Sequence, residues 1–196
     1  IISGLVGSEM CIRDSICGGM ANSFIAFSGN EIGASLAEEN VNEEIEEIYN
    51  YSNENDCQII LPSDASVAPK LDPDINFAVK KIDGLNSSDM ILDIGPVSTK
   101  DLKEVISNSK TVFWNGPPGV FEVEPFNKAT IEIANHIADL TSAGKIQSFA
   151  GGGDTVAAIE MAGVKEKFTY ISTGGGALLE LLEGKQLPGL VSQNIL

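Results

Sequence analysis

Positively charged residues are scarce in this chain. It holds 12 lysine and arginine residues against 28 aspartate and glutamate residues, which gives a formal net charge of -16. Such a charge repels nucleic-acid backbones and anionic lipid surfaces, so neither is an expected partner. Only one of the basic residues, Arg13, is an arginine. The residues after it therefore cannot make the bidentate guanidinium contact that often holds a phosphorylated substrate.

Cysteine, histidine and long apolar segments are also sparse. The spacing of Cys11, Cys17, Cys57 and the single His136 fits neither a zinc site nor a disulfide framework, so we expect inert thiols and a surface or packed histidine. None of the apolar runs is long enough to span a membrane, and no basic region precedes a long apolar one at the start. We expect a soluble, cytoplasmic protein of ordinary globular composition.

The first fifteen residues do not match the rest of the chain. The stretch LVGSEMCIRDS resembles the translation of a sequencing adapter, so we expect residues 1–15 to be a non-native scar and the domain to span residues 16–196. The alternative is a short edge strand that ends at Arg13 and Asp14.

From Met20 the chain alternates between helix-like and strand-like segments. Amphipathic patterns predict helices in MANSFIAFSG, NEEIEEIYNYSNEN, STKDLKEVISNSK, FNKATIEIANHIADL, DTVAAIEMAG and GALLELLEG. Apolar runs predict strands in CQIILP, MILDIGP, TVFWNG, IQSFAGG and FTYISTGG, with a weaker candidate in DINFAVKKID. Ser98 and Asp101 form a capping-box pattern in the third helix. Four successive strand-to-helix units predict an α/β fold with a doubly wound parallel sheet.

Glycine-rich loops follow several of these strands. FAGGGDT and STGGGA place glycines where a strand gives way to a helix, and WNGPPGVFE follows another strand. Ligands of open parallel sheets bind beyond the carboxyl ends of the strands, and glycines there allow backbone N–H groups to face an anion. The loops favour a phosphate-binding surface, and the alternative is tight strand-to-helix packing alone. Neither the P-loop pattern nor the G-x-G-x-x-G pattern is present.

Asp154 follows the glycines of the first loop directly. A carboxylate beside phosphate is repulsive unless a divalent cation lies between them, and magnesium accepts carboxylate and phosphate oxygens together. The other interpretation is that Asp154 or Thr155 caps the following helix. In the WNGPPGVFE loop, Asn115 is a candidate for a phosphate contact and Glu122 for the ribose hydroxyls. Trp114 and Phe121 are expected to anchor this loop in the core.

These segments together resemble the C-terminal, nucleotide-binding domain of phosphoglycerate kinase. The resemblance rests on CGGMAN, EIGASL, ILPSD, LDIGP, WNGPPGVFE, GGGDT and ISTGGGALLELLEGKQLPG, in consistent order from about Ile16 to Leu190. It implies a Rossmann-like domain of a two-domain glycolytic enzyme that passes a phosphoryl group between 1,3-bisphosphoglycerate and Mg-ADP. The chain departs from the family at Cys17, where the family has glycine, and at Ile91.

The resemblance also implies roles for particular residues. Adenine is expected against Gly18 and Gly19, and the ribose at Glu122. The phosphates and Mg²⁺ of ADP or ATP are expected at the following residues: Asn115, Gly116, Pro117, Gly152, Gly153, Asp154 and Thr155. Asp154 is the expected metal ligand. The glycines nearest the transferred group, to which we assign the catalytic role, are Gly152, Gly153, Gly175 and Gly176.

The family's other domain, which holds the glycerate substrate, has no counterpart in this sequence. The first strand of the nucleotide domain and its lysine are missing as well, so we expect a fragment that is inactive and poorly stable alone. The full-length protein is expected to be monomeric. The competing hypothesis is a stand-alone nucleotide-binding module with no chemistry.

Overall fold

The structure, a computed structural model, describes residues 13–172 and shows an α/β fold. Its strands are β1 (Arg13–Ser15), β2 (Gln58–Ile60), β3 (Asp64–Ala68), β4 (Ala78–Lys81), β5 (Met90–Ile94), β6 (Thr111–Asn115), β7 (Gln147–Gly151) and β8 (Tyr170–Ile171). Its α-helices are α1 (Gly18–Phe27), α2 (Asn42–Glu54), α3 (Pro96–Ser107), α4 (Lys128–Ser142) and α5 (Gly153–Met161). Within the described range, each helix predicted from the sequence is present. The predicted helix in GALLELLEG lies outside it.

Strands β6, β7 and β8 form a parallel sheet whose strands alternate with helices along the chain. Phe113 pairs with Phe149 and Phe149 with Tyr170, so the register is continuous across the sheet. The apolar face of α4 packs against this sheet because its alanines and isoleucines recur at helical spacing. The buried residues of α4 in that core are Ala129, Ile133, Ala134, Ile137 and Ala138. The predicted strand-to-helix units that begin with TVFWNG and IQSFAGG are therefore confirmed, and the helix predicted after β8 lies outside the described residues.

Strand β5 lies in an antiparallel sheet of order β4-β3-β5, so the prediction that its segment joins one parallel sheet is wrong. Its partner β3 carries the sequence DASVA, in which Asp64 and Ser66 interrupt any apolar run. The sequence therefore contained no signal for β3, and without β3 the antiparallel pairing could not be foreseen.

Strand β1 pairs in parallel with β2, Arg13 opposite Gln58 and Ser15 opposite Ile60. The next backbone N–H, that of Ile16, donates to Ile60 O at 3.0 Å. The expectation that residues before Ile16 stand apart from the domain is wrong for these three residues, and the alternative of a short strand fits them. The origin of residues 1–15 stays a prediction.

Helix α3 begins with Pro96, and Gly95 precedes it as the extended cap residue. The predicted capping box is therefore wrong, because Ser98 lies inside the helix. Its first N–H groups are satisfied from another element: Val97 N and Ser98 N donate to the Asp64 carboxylate at 3.0 and 2.8 Å. A cap supplied from β3 is invisible to a pattern that reads only neighbouring residues.

Helices α3 and α4 are joined by the single histidine. His136 Nε2 lies 2.8 Å from Ser107 Oγ and 3.0 Å from the Lys103 carbonyl oxygen. The histidine is thus packed, as expected, and away from the glycine-rich loops. No helix within residues 13–172 is long and apolar enough to cross a membrane.

Candidate functional site

The N-terminus of α5 is the centre of the candidate site. Gly152 caps it with φ +91°, a left-handed backbone that disfavours any side chain, and it directly follows β7. The first turn leaves N–H groups without acceptors inside the helix, and these groups carry the positive end of its dipole. Gly153 and Asp154 are exposed there. The structure thus presents backbone donors that suit an anion.

The end of β6 lies directly beside this helix start. Asn115 pairs with Gly151, and a Cβ placed on Gly152 would lie 2.6 Å from Asn115 Oδ1. Gly116 N donates to Thr155 Oγ1 at 2.6 Å. Thr155 is fully buried, and its hydroxyl joins the start of α5 to the segment that follows β6.

The start of α1 is the third segment of the candidate site, beside the N-terminus of α5 and the end of β6. A Cβ on Gly18 would lie 3.2 Å from the Pro117 carbonyl oxygen, so the first residue of α1 meets the loop that follows β6. Leu36, which is 82% exposed, lies next to Gly19, and its carbonyl oxygen accepts a hydrogen bond from Asn22 Nδ2 at 2.9 Å. No role was predicted for Leu36, although an exposed leucine beside a glycine suits contact with a flat apolar group.

The connection between β6 and α4, residues 116–127, is called the β6–α4 loop below. Trp114 lies in β6, just before this loop, and its Nε1 donates to Gly116 O at 2.7 Å. Its ring packs against the core that α4 forms with the parallel sheet. Phe121 is buried at 6% exposure. Both predicted anchors are therefore confirmed. Glu122, between Phe121 and the start of α4, is exposed and free to face a ligand.

Sequence reasoning missed Asp93, a carboxylate at 2% exposure in β5 beneath this loop. Asp93 Oδ1 accepts Ile94 N at 2.9 Å, and Oδ2 accepts Ala129 N, near the start of α4, at 3.0 Å. Burial raises the pKa of Asp93 to about 7, against the opposing effect of these two hydrogen bonds. Burial also raises the pKa of Cys17 to about 12, and the Asp93 and Asp14 carboxylates add to that shift. The thiol is therefore neutral, as an inert cysteine should be.

The structure thus brings most of the predicted site residues to one region. Gly18, Asn115, Gly116, Pro117, Gly152 and Thr155 form direct neighbours. Gly19, Glu122, Gly153 and Asp154 lie on the exposed surface of the same three segments. Gly175 and Gly176 lie outside the described residues.

The residues present can serve a magnesium ion that is bound mainly through phosphate. Among residues 13–172 no group of three or more histidine, cysteine, aspartate or glutamate side chains is placed to hold a metal. Asp154 offers one exposed carboxylate at the helix start. Magnesium commonly takes one or two carboxylates together with substrate phosphates and water, so a single ligand from the protein fits that coordination.

Fold and geometry define the class of this chain: a Rossmann-like α/β domain with backbone N–H donors at a helix start beyond the carboxyl ends of parallel strands. The family model described as phosphoglycerate kinase matches residues 11–185. The chain belongs to the phosphoglycerate kinase family.

Curated relatives agree with the family match. Phosphoglycerate kinase of Caulobacter vibrioides (strain NA1000 / CB15N) is 46% identical over 180 residues, which cover 92% of this chain and 46% of the relative. Phosphoglycerate kinase of Agrobacterium fabrum is 47% identical over 175 residues, 89% of this chain and 44% of the relative. The chain thus spans less than half the length of these relatives.

Solved structures show the same fold. Phosphoglycerate kinase from Coxiella burnetii superposes with a TM-score of 0.83 at 36% identity, covering 88% of this chain and 44% of that one. The enzyme from Pyrococcus horikoshii OT3 gives a TM-score of 0.68 at 28% identity, covering 92% and 44%.

Proposed function

We propose that this chain is the nucleotide-binding half of a phosphoglycerate kinase. The whole enzyme transfers a phosphoryl group reversibly between 1,3-bisphosphoglycerate and Mg-ADP, giving 3-phosphoglycerate and ATP. Family membership supports the reaction. The observation that carries the nucleotide role is the meeting of three glycine-bearing segments: the start of α1, the β6–α4 loop and the N-terminus of α5.

Each segment would bind a different part of the nucleotide. The adenine would lie against Gly18 and Gly19, where an absent side chain leaves room for a flat ring. Glu122 would accept hydrogen bonds from the ribose hydroxyls. The phosphates would lie between the loop residues Asn115, Gly116 and Pro117 and the start of α5, where N–H donors and the helix dipole favour negative charge.

Asp154 would hold the magnesium ion that accompanies the phosphates. Its exposed carboxylate lies in the first turn of α5, where the phosphates would bind. When bound, the ion neutralises phosphate charge. Asp154 would therefore help to orient the phosphates through the metal. The buried hydroxyl of Thr155 supports the loop by accepting a hydrogen bond from Gly116 N.

Phosphoryl transfer depends mostly on positioning and charge stabilisation. Within this chain the donors for the transferred group are the backbone N–H groups of Gly152 and Gly153, with Gly175 and Gly176 assigned the same role. Cationic side chains that stabilise its equatorial oxygens would come from the other half of the enzyme, which also binds 1,3-bisphosphoglycerate. Domain closure would then exclude water. We accordingly expect no turnover from this chain alone, and a cytoplasmic, monomeric full-length enzyme.

The alternative is a stand-alone nucleotide-binding module with no chemistry. Two proteins separate the hypotheses: the chain itself, and the chain from Ile16 fused behind the N-terminal half of the Caulobacter vibrioides relative. Both are assayed with Mg-ADP and 1,3-bisphosphoglycerate, and Mg-ADP binding is measured by calorimetry. We expect binding by both and turnover by the fusion alone.

Each other outcome is decisive. Turnover by the bare chain would show that it is not half of the catalytic machinery. A fusion that binds Mg-ADP yet remains silent would favour the stand-alone module. Absence of Mg-ADP binding by both proteins would overturn the nucleotide role.

A further inference from the structure

Asp93 lies below the candidate site without reaching its surface. Both hydrogen bonds that its carboxylate accepts within the described residues come from backbone N–H groups, one in β5 and one near the start of α4. A buried carboxylate is costly unless its oxygens are satisfied, and the α4 dipole favours it at this position. Asp93 therefore joins β5 to the helix that ends the β6–α4 loop.

The same carboxylate also supports the loop directly. A Cβ on Gly119 would lie 2.2 Å from Asp93 Oδ1 and 2.7 Å from the Phe126 carbonyl oxygen, so only glycine permits this close approach. Val120 N donates to Leu92 O at 2.8 Å, which seats the loop on β5 beside Asp93. The loop thus rests on the carboxylate between Gly116 and Glu122, the residues proposed to meet phosphate and ribose.

We propose that Asp93 is a positioning residue that sets the shape of the β6–α4 loop for nucleotide binding, acting through Gly119 and the start of α4 without touching the ligand. This inference rests on the nucleotide-binding function proposed above. A buried side chain of β5 would thus contribute to the Mg-ADP affinity of a site whose contacts are made by surface residues.

The chain contains a matched control at a second buried carboxylate. Asp64 is 4% exposed, accepts the first N–H groups of α3, and has Gly95 packed on it at 2.2 Å from a Cβ to Cγ. It therefore repeats the arrangement of Asp93 and Gly119 at a helix that carries none of the proposed nucleotide contacts. Substitutions in the Asp64–Gly95 pair and in the Asp93–Gly119 pair should reduce stability to a similar extent. Only those in the Asp93–Gly119 pair should lower the affinity for Mg-ADP.

The experiment compares Mg-ADP affinity, by calorimetry, for the 196-residue chain and four variants. Asp93→Asn replaces one acceptor oxygen by an amide, and Gly119→Ala pushes the loop away from an intact carboxylate. Asp64→Asn and Gly95→Ala are the controls, and circular dichroism with thermal unfolding checks each fold. We expect affinity to fall about tenfold or more in the first pair and to stay within about twofold in the second.

Trp114 supplies a readout that needs no nucleotide. It is the single tryptophan of the chain, and it is bonded to Gly116 at the start of the loop. Its emission should change with pH around 7 in the unchanged chain and in Asp64→Asn, and stay constant over that range in Asp93→Asn. The groups that face Asp93 from other elements are Glu132 on α4 and the neutral thiol of Cys17 before α1. Both are retained in every variant, as is His136.

The outcomes separate the two proposals. If the unchanged chain binds Mg-ADP and all four variants bind equally well, Asp93 is only structural and the inference is wrong. An identical pH response of Trp114 in all proteins would refute the coupling to the loop. If the unchanged chain fails to bind Mg-ADP but the fusion binds it, the same four variants are compared in the fusion. If neither protein binds Mg-ADP, the nucleotide function is overturned and this inference with it. Should Asp93→Asn fail to fold, Gly119→Ala against Gly95→Ala decides.

Discussion

The N–H of Gly116 donates to the hydroxyl of Thr155 at 2.6 Å, across 39 residues of sequence. The bond joins the loop after β6 to the helix after β7, and Thr155 is fully buried. Thr155→Val keeps the shape of the side chain and leaves the Gly116 N–H without this acceptor. We expect a loss of about 1–3 kcal/mol in the free energy of unfolding, measured by urea titration, and weaker Mg-ADP binding. Thr155→Ser should restore both, and failure of serine to do so would argue against the hydroxyl.

Substitution of Asp154 should weaken Mg-ADP binding and change the stability of the domain little. Gly152, not Asp154, caps α5, and Asp154 lies in the first turn without a capping hydrogen bond. Asp154→Asn removes only a charge near the helix dipole, so the free energy of unfolding should fall by less than about 1 kcal/mol. Mg-ADP affinity should fall about tenfold and become less dependent on magnesium concentration, because the metal loses a charged ligand. Asp101→Asn, which removes another exposed carboxylate in α3, is the control for charge. Equal magnesium dependence in the two variants would remove the metal role.

Asp93 should make the stability of the domain depend on pH. Its folded pKa of about 7 lies above the value of an unfolded aspartate, so the protonated form is favoured by folding. The stabilisation is complete below the unfolded pKa and is lost as pH rises through about 4 to 7, by up to about 4 kcal/mol. Urea unfolding of the unchanged chain and Asp93→Asn across pH 4–8 should show this slope in the difference between them. Parallel stability curves would contradict it.

Two lysine–aspartate pairs should differ in their importance. Lys80 Nζ contacts Asp89 at 2.8 Å, and the Asp89 side chain is only 10% exposed, whereas the Asp72 side chain, paired with Lys70, is 33% exposed. Burial acts to raise the pKa of Asp89, but hydrogen bonds from Lys80 and Asn86 N outweigh it and lower the pKa. Lys80→Met should therefore destabilise by about 1–3 kcal/mol, against about 0–1 for Lys70→Met. Equal losses in thermal unfolding would show that burial does not decide the difference.

Periodic segments made most of the fold predictable. Helix α4 and strands β6 and β7 have strong 3.6-residue and apolar patterns, and the glycines between them marked the ends of strands where a site could form. Strand β3 was missed because Asp64 and Ser66 lie within it, and its role in capping α3 depends on contacts between distant residues. Local pattern cannot reveal a hydrogen bond that joins positions more than thirty apart.

The exposed residues of the candidate site were easier to predict from the sequence than the buried residues beneath them. Gly152, Asn115 and Glu122 stand in loops whose composition indicated anion binding, so their neighbourhood could be expected. Asp93 lies in an ordinary-looking strand, and only its burial and its contact with Gly119 distinguish it. Residues that act through packing leave no local motif, which is why the sequence did not point to it.

The close packing of glycine on buried carboxylate, at Gly119 on Asp93 and at Gly95 on Asp64, constrains how this sequence can change. Any side chain added at either glycine would collide with the aspartate, and a shorter residue in place of the aspartate would leave helix N–H groups unpaired. Each pair is therefore an epistatic unit, in which the first substitution is harmful whichever position it strikes. Divergence at these positions must pass through coupled replacements, so each glycine and its aspartate should persist or disappear together.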